Sequence, residues 1–186
     1  MSHMSTNILN PKTGWFEQVE GANGRMFVED GNSAFYEGRQ YFTFREFSIA
    51  QAAVGVFKVV ITEDVVMRDF FVVLEVSSAR VEIVIGGTEG GTFNSTLSLM
   101  QTNNMSTVAD RLSTSTMTYG GTHTGGTVLD LFLLNSGNNL NQAVGQQGGE
   151  PFPVGFAPGT YYVRITNTGN TTATGLFKAR WTENPN

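Results

Sequence analysis

Apolar and polar residues alternate one for one in run after run of this chain. Only a β-strand puts such a period to use, because successive side chains point to opposite faces. "TYYVRITN" sets Tyr161, Val163 and Ile165 against Tyr162, Arg164 and Thr166. "LFKARWT" sets Phe177, Ala179 and Trp181 against Lys178, Arg180 and Thr182, and "VFKVVIT" sets Phe57, Val59 and Ile61 against Lys58, Val60 and Thr62. The polar segment "NTGNTTATG" joins the first two runs and predicts an antiparallel hairpin with one wet face. In "FFVVLEVSSARVEIVI" the bend falls at Val76–Ala79, after which Val81, Ile83 and Ile85 oppose Arg80 and Glu82. "VLDLFLLN" is apolar on both faces apart from Asp130 and reads as a central strand. "YFTFREFSI" places Phe42 and Phe44 out of phase with Phe47 and Ile49, which predicts a bulge near Arg45. A helical pattern is confined to a turn or two in "NNMSTVADRLS". About ten strands with Gly-, Asn- and Thr-rich connections predict an all-β fold: an antiparallel β-sandwich, jelly-roll-like, preceded by an extended N-terminal arm.

The 186 residues fit a single domain over 24–186 preceded by residues 1–23. Met1-Ser2-His3-Met4 reads as a cloning scar, and the rest of the first segment as an arm that carries Trp15 and Phe16. Exposed aromatics on a free arm are unfavourable, so these two are the candidate interface anchors. A chain of this length buries roughly 70% of its extended surface and needs no staple. There is no cysteine, which removes thiol chemistry, cysteine-based zinc sites and disulfides. The net charge is −5 and the eleven Lys and Arg are scattered singly, so the basic stripe that nucleic-acid binding needs is missing. No apolar run approaches the roughly 20 residues that cross a bilayer as a helix. No stretch reads as a signal peptide, and the absence of cysteine is compatible with assembly in a reducing cytoplasm. Residues 86–149 contain only four charges, Glu89, Asp110, Arg111 and Asp130, and eleven of residues 86–127 are threonine. Such a segment serves either as solvated strands and loops or as contact surface, since interface centres are depleted in charge.

The stretch "YGGTHTGGTV" at 119–128 holds His123 between two Gly-Gly-Thr triplets, and "GGTEGGT" at 86–92 is related to it. A phosphate-cradling loop needs glycines before a helix N-terminus, whereas a strand follows here and no lysine is near. Both stretches are therefore expected to be turns, with His123 exposed in a loop. As a general base His123 lacks a sequence partner: there is no G-x-S-x-G elbow and no second native histidine for a metal. "EDGN" at 29–32 lacks the spaced oxygen ligands of a calcium loop and reads as a hairpin turn. Glu63, Asp64 and Asp69 flank a turn, where carboxylates are usually solvated. Tyr161, Tyr162 and Trp181 are candidates for stacking on a sugar, and alternation leaves Tyr162 as the one outside the core. The sequons at Asn94, Asn104 and Asn170 carry no weight in so threonine-rich a chain. No catalytic, cofactor-binding or metal-ligating residue is assigned.

"YEGRQYFTFREFSI", "VFKVVITEDVVMRDF", "IGGTEGGTF", "GGTHTGGTVLD" and "GFAPGTYYVRITNTGNTTATGLFKARW" together resemble small virion-associated proteins of tailed bacteriophages, over about residues 33–183. The resemblance implies a non-enzymatic structural protein of the virion, assembled in the host cytoplasm. Its expected role is capsid decoration or cementing, bridging shell subunits, as a homo-oligomer and most often a trimer. Its expected partner is the major capsid protein or another virion protein. It implies no active-site residues and no cofactor. The alternative is a carbohydrate-binding or receptor-binding β-sandwich module of a phage tail.

Overall fold

The computed structural model describes residues 6–9, 16–19, 38–102, 111–135, 142–144 and 154–183. The described residues form sixteen strands and no helix, and every strand pair is antiparallel. The chain divides into two compact units, residues 1–33 and 34–186. In the first, β1 (Thr6–Leu9) pairs with β2 (Phe16–Val19), with Leu9 opposite Phe16. A hairpin thus occupies the segment expected to run as an extended arm. The expected boundary at 23/24, and residues 29–32, lie outside the described residues.

The second unit is built from two open sheets. One follows the order β12 (Thr127–Asn135), β6 (Ser78–Ile85), β15 (Gly159–Asn167), β4 (Val54–Ile61), β10 (Thr116–Tyr119), β8 (Ser95–Thr96). The other follows β13 (Gln142–Val144), β5 (Val65–Val76), β16 (Ala173–Glu183), β3 (Gln40–Ile49), β9 (Met100–Gln101), with β14 (Val154–Phe156) also on β5. A two-stranded ribbon of β7 (Thr88–Gly90) and β11 (Thr122–Thr124) completes the set. Taken in chain order, β3, β4, β5, β6, β12, β13, β15 and β16 alternate between the two sheets except at β6 and β12, which are neighbours in one.

The period-two pattern explains why the sheets share one core. Phe57, Val59 and Ile61 of β4, Val163 and Ile165 of β15, and Phe177, Ala179 and Trp181 of β16 are all buried in the same apolar cluster. At its centre the ring of Phe57 stacks on that of Phe177, centroids 4.2 Å apart and 18° from parallel. Tyr119 and Phe70 extend this column, at 4.7 Å from Phe57 and 5.5 Å from Phe177. Each such ring removes a large apolar area from water, and offset aromatic pairs add about 0.5–1.5 kcal/mol beyond that area. The backbone of β5 approaches β16 so closely at Gly175 that a Cβ there would sit 2.0 Å from the Val73 carbonyl oxygen, at a register shift in the ladder. Only glycine fits.

Two expectations are corrected. β3 carries no bulge near Arg45: its register against β16 is continuous from Thr182↔Gln40 to Ala173↔Ile49. The inward residues are Tyr41, Thr43, Phe47 and Ile49, and Phe42 and Phe44 point outward. Inward Thr43 is accommodated because its hydroxyl donates to the Ser98 carbonyl, 2.8 Å. Arg45, in the same phase, bonds the Ser95 hydroxyl and lies over the Tyr119 ring at 4.9 Å. Second, β12 is not central but ends its sheet. Of the candidate helical stretch at 103–113, residues 103–110 lie outside the described residues and 111–113 are not helical; no helix among the described residues is long and apolar enough to cross a membrane.

One buried polar residue ties together the turns at one end of the two sheets. Asn167 falls in phase with Val163 and Ile165, yet its Nδ2 lies 3.0 Å from the Ile49 carbonyl, 3.1 Å from that of Ala50 and 2.7 Å from that of Thr171. Its Oδ1 accepts from the Ser77 hydroxyl and the Gly169 amide, both at 3.0 Å. Ser77 is the single-residue bend between β5 and β6, with φ 79°. Replacing Asn167 by Ala strands these groups, and a buried unsatisfied group costs about 1–3 kcal/mol. Asn167→Ala is therefore expected to lower the unfolding free energy by about 3 kcal/mol with an unchanged urea m-value, measured by equilibrium denaturation.

Candidate functional site

The two Gly-Gly-Thr stretches, far apart in sequence, meet as the β7–β11 ribbon. Thr122 pairs with Gly90, His123 with Glu89 and Thr124 with Thr88. The glycines occupy the turn positions around it: Gly86, Gly87, Gly91, Gly120, Gly121, Gly125 and Gly126 all have positive φ. The turn reading of 119–128 thus holds, with a three-residue strand inside each stretch.

His123 is not an exposed loop histidine. It is 5% exposed, because its position in β11 directs the ring down onto the outer face of the β4–β15–β6 sheet. There it stacks on Tyr162, centroids 3.8 Å apart and 16° from parallel. Its Nε2 lies 2.8 Å from the Gly86 carbonyl, which can only accept, so Nε2 carries the proton. Gly87 must be glycine, since its φ is 98° and a Cβ would lie 2.5 Å from His123 Nε2. Beneath the ribbon Val56, Val84 and Tyr162 form a second small core, with Phe93 packed against it. Tyr162, the residue reserved for a sugar, is therefore buried under His123 and Phe93 and offers no open ring face.

A polar chain runs along the edge of this small core. The Tyr162 hydroxyl donates to Glu89 Oε1, and Lys58 Nζ pairs with the same oxygen at 2.7 Å. Burial and the Glu89 carboxylate push the Tyr162 phenol far above the ordinary tyrosine range. The hydrogen bonds from Lys58 and then Tyr162 hold the Glu89 carboxyl below its ordinary value. The phenol and the Lys58 ammonium thus share one oxygen of Glu89. Their evident work is to pin the ribbon to the sheet.

A second cluster lies where β16 ends. Glu183 is fully buried, in phase with Trp181. Its carboxylate accepts from the Ser113 hydroxyl, the Thr114 amide and hydroxyl, the Ser115 amide and Trp181 Nε1. Burial raises its pKa, but those donors outweigh burial and the net direction is down. This clamps segment 111–115 to the sheet. Neighbouring Glu63 accepts from the Thr114 hydroxyl at 3.1 Å and faces Arg111 at 4.0 Å. Asp64 is exposed in the turn, and Asp69 lies within β5 opposite Arg180, its side chain outside what is described. No group of three His, Asp or Glu among the described residues could hold a metal ion. Of the candidate anchors, Trp15 lies outside the described residues and Phe16 opens β2.

The surface carries apolar residues that the sequence reading placed inside. Phe44 is 55% exposed on the outer face of the β3–β16–β5 sheet, with Lys178 and Phe71 beside it in register. On the end strand β12, Leu129, Leu131 and Leu133 are 50%, 43% and 70% exposed. Comparison of the chain with protein-family models, with curated proteins and with solved structures finds no match.

Two outcomes follow from these clusters. Glu183 has a folded-state pKa below the ordinary 4.5, so its stabilisation is present above that value and is lost as pH falls through the folded value. Glu183→Gln is expected to cost about 2–4 kcal/mol at neutral pH, the gap to the parent narrowing as pH drops below the ordinary carboxylate range, followed by denaturation at a series of pH values. His123→Ala uncovers Tyr162 and is expected to cost about 2 kcal/mol. Alkaline difference absorbance should show the Tyr162 phenol shifting down toward its ordinary range, because burial is the main cause of its raised pKa.

Proposed function

We propose that this protein is a non-enzymatic structural component of a phage virion, a decoration or cement protein bridging shell subunits. The observation that carries the proposal is the exposed apolar surface of a stiff, sheet-built body, above all Phe44 on the outer face of the β3–β16–β5 sheet. Aromatic side chains on a rigid face are the residues that most often anchor protein–protein contacts. The side chains that sequence offered for chemistry or sugar stacking, His123 and Tyr162, are engaged in packing against each other.

The body is read as a jelly-roll β-sandwich. The orders β3-β16-β5-β13 and β4-β15-β6-β12 support this: along the chain these eight strands alternate between sheets except at the β6–β12 step. That is the order two interleaved Greek keys produce. Residues 86–126 are then an excursion in the one link that stays within a sheet, and they supply the ribbon and the short strands β8, β9 and β10.

Docking of Phe44 and its neighbours against a shell protein would bury apolar area at about 25 cal/mol per Å², from which the cost of association is subtracted. Trp15 and Phe16 are proposed as further anchors from the N-terminal segment. The test is co-sedimentation with capsids lacking this protein. Phe44→Asp is expected to weaken binding at least about tenfold, the loss of one buried aromatic anchor, with the melting temperature unchanged. Undiminished binding by Phe44→Asp removes this face from the interface. Failure of the parent protein to bind any capsid, together with reproducible glycan-array hits, would replace the structural role with receptor binding.

A further inference from the structure

We propose that two copies of this chain join edge to edge through β12, antiparallel about a twofold axis at Phe132, so that their β12-ended sheets run on as one. Three of the four described sheet ends are closed by very short strands: β8 and β9 have two residues each, and β13 and β14 three each. Short end strands are a standard protection against pairing between chains. Among the described residues β12 alone is a nine-residue strand that ends its sheet. An end strand that bears three exposed leucines is a template for another strand.

The register of β12 makes a second copy of itself the fitting occupant. Pairing with β6 places Leu131 opposite Glu82 and Leu133 opposite Arg80, so both leucines lie on the outer face. The irregularity between Val128 and Asp130 disturbs the start of the strand and leaves Asp130–Asn135 regular. A twofold axis at Phe132 sets Leu131 of each copy opposite Leu133 of the other. The backbone agrees: the Leu131 amide is not spent on β6 but bonds its own neighbour's Oδ1, Asp130, at 2.8 Å on the exposed side. With the period-two pleat, the Leu133 amide points the same way. Each Leu131–Leu133 pair can therefore exchange both backbone hydrogen bonds, releasing the Asp130 carboxylate to water.

Charge permits the match. Asp130, the only charge on β12, falls opposite Leu134 of the second copy, so no like charges meet. Four leucines then form an apolar strip on the outer face. It is bordered on each side by a polar row in which Glu82 binds Arg80 at 2.6 Å and Arg164 at 3.1 Å. An apolar centre with a polar rim is the general anatomy of an interface. The symmetry is isologous, giving a closed dimer rather than the trimer that the phage resemblance implies. The inference stands apart from the capsid reading, which uses the other sheet.

The test is the mass of the full chain by light scattering and sedimentation over a concentration series. The expected result is a dimer that Leu131→Lys with Leu133→Lys converts to monomer while the circular dichroism spectrum stays as in the parent and the melting temperature loses its dependence on protein concentration. Phe44→Asp is expected to leave the dimer intact. Because the chain has no cysteine, register can be read directly. Mixed Leu131→Cys and Leu133→Cys chains should form a heterodisulfide in preference to either homodisulfide. A parent that stays monomeric throughout, an oligomer whose mass ignores the lysine pair, or homodisulfides formed in preference would each overturn the proposal.

Discussion

The stack of Phe57 on Phe177 is the contact on which the rest of this structure depends, because it is where the two sheets meet. Neither sheet buries its apolar face alone. Phe57 comes from the middle of β4, between β15 and the short β10, and Phe177 from the middle of β16, between β5 and β3. Once those faces meet, every inward position in the long strands is committed. The outward positions must then be soluble, covered by something else, or offered to a partner. All three solutions occur. Arg80, Glu82 and Arg164 are the soluble case, the β7–β11 ribbon over Tyr162 the covered one, and Phe44 and the β12 leucines the open one.

Two of the buried polar groups hold ends. Asn167 fastens the turns at one end of the sheets and Glu183 fastens segment 111–115 where β16 finishes. Both interrupt an apolar phase and both have a full set of partners, which is the condition for a buried polar group to be tolerated. They act on loops, the parts of a β-fold with the most conformational entropy to lose. The effect is to make connections as well as strands rigid.

The alternation in β4, β15 and β16 was legible residue by residue, and so was the bend at Ser77. The errors have specific causes. In β3 the reading assumed that aromatics point inward, whereas Thr43 and Arg45 hold inward positions through hydrogen bonds and ring contact while Phe42 and Phe44 face out. In β12 apolar residues on both faces suggested a central strand, but hydrophobicity alone does not distinguish a strand covered by its own fold from one left open. His123 was read as exposed because its strand is too short to show a period and its cover, Tyr162, belongs to a distant segment. The pairing of the two Gly-Gly-Thr stretches is likewise a long-range event that no local spacing encodes. Asn167 and Glu183 did leave a trace in the sequence: a polar residue in step with buried ones at the end of a strand.

The excursion between β6 and β12 has a consequence for how such a fold can change over time. Its end points lie side by side in one sheet, so a tight turn would join them and the long strands would need nothing else from it. Yet the excursion supplies β10 and β8 along the flank of β4, and β9 along the flank of β3. A lineage that shed it would keep its centre and bare two long flanks at once, trading a compact gene for a sticky product. Growth in this link is easy, and reversal is penalised by solubility rather than by folding.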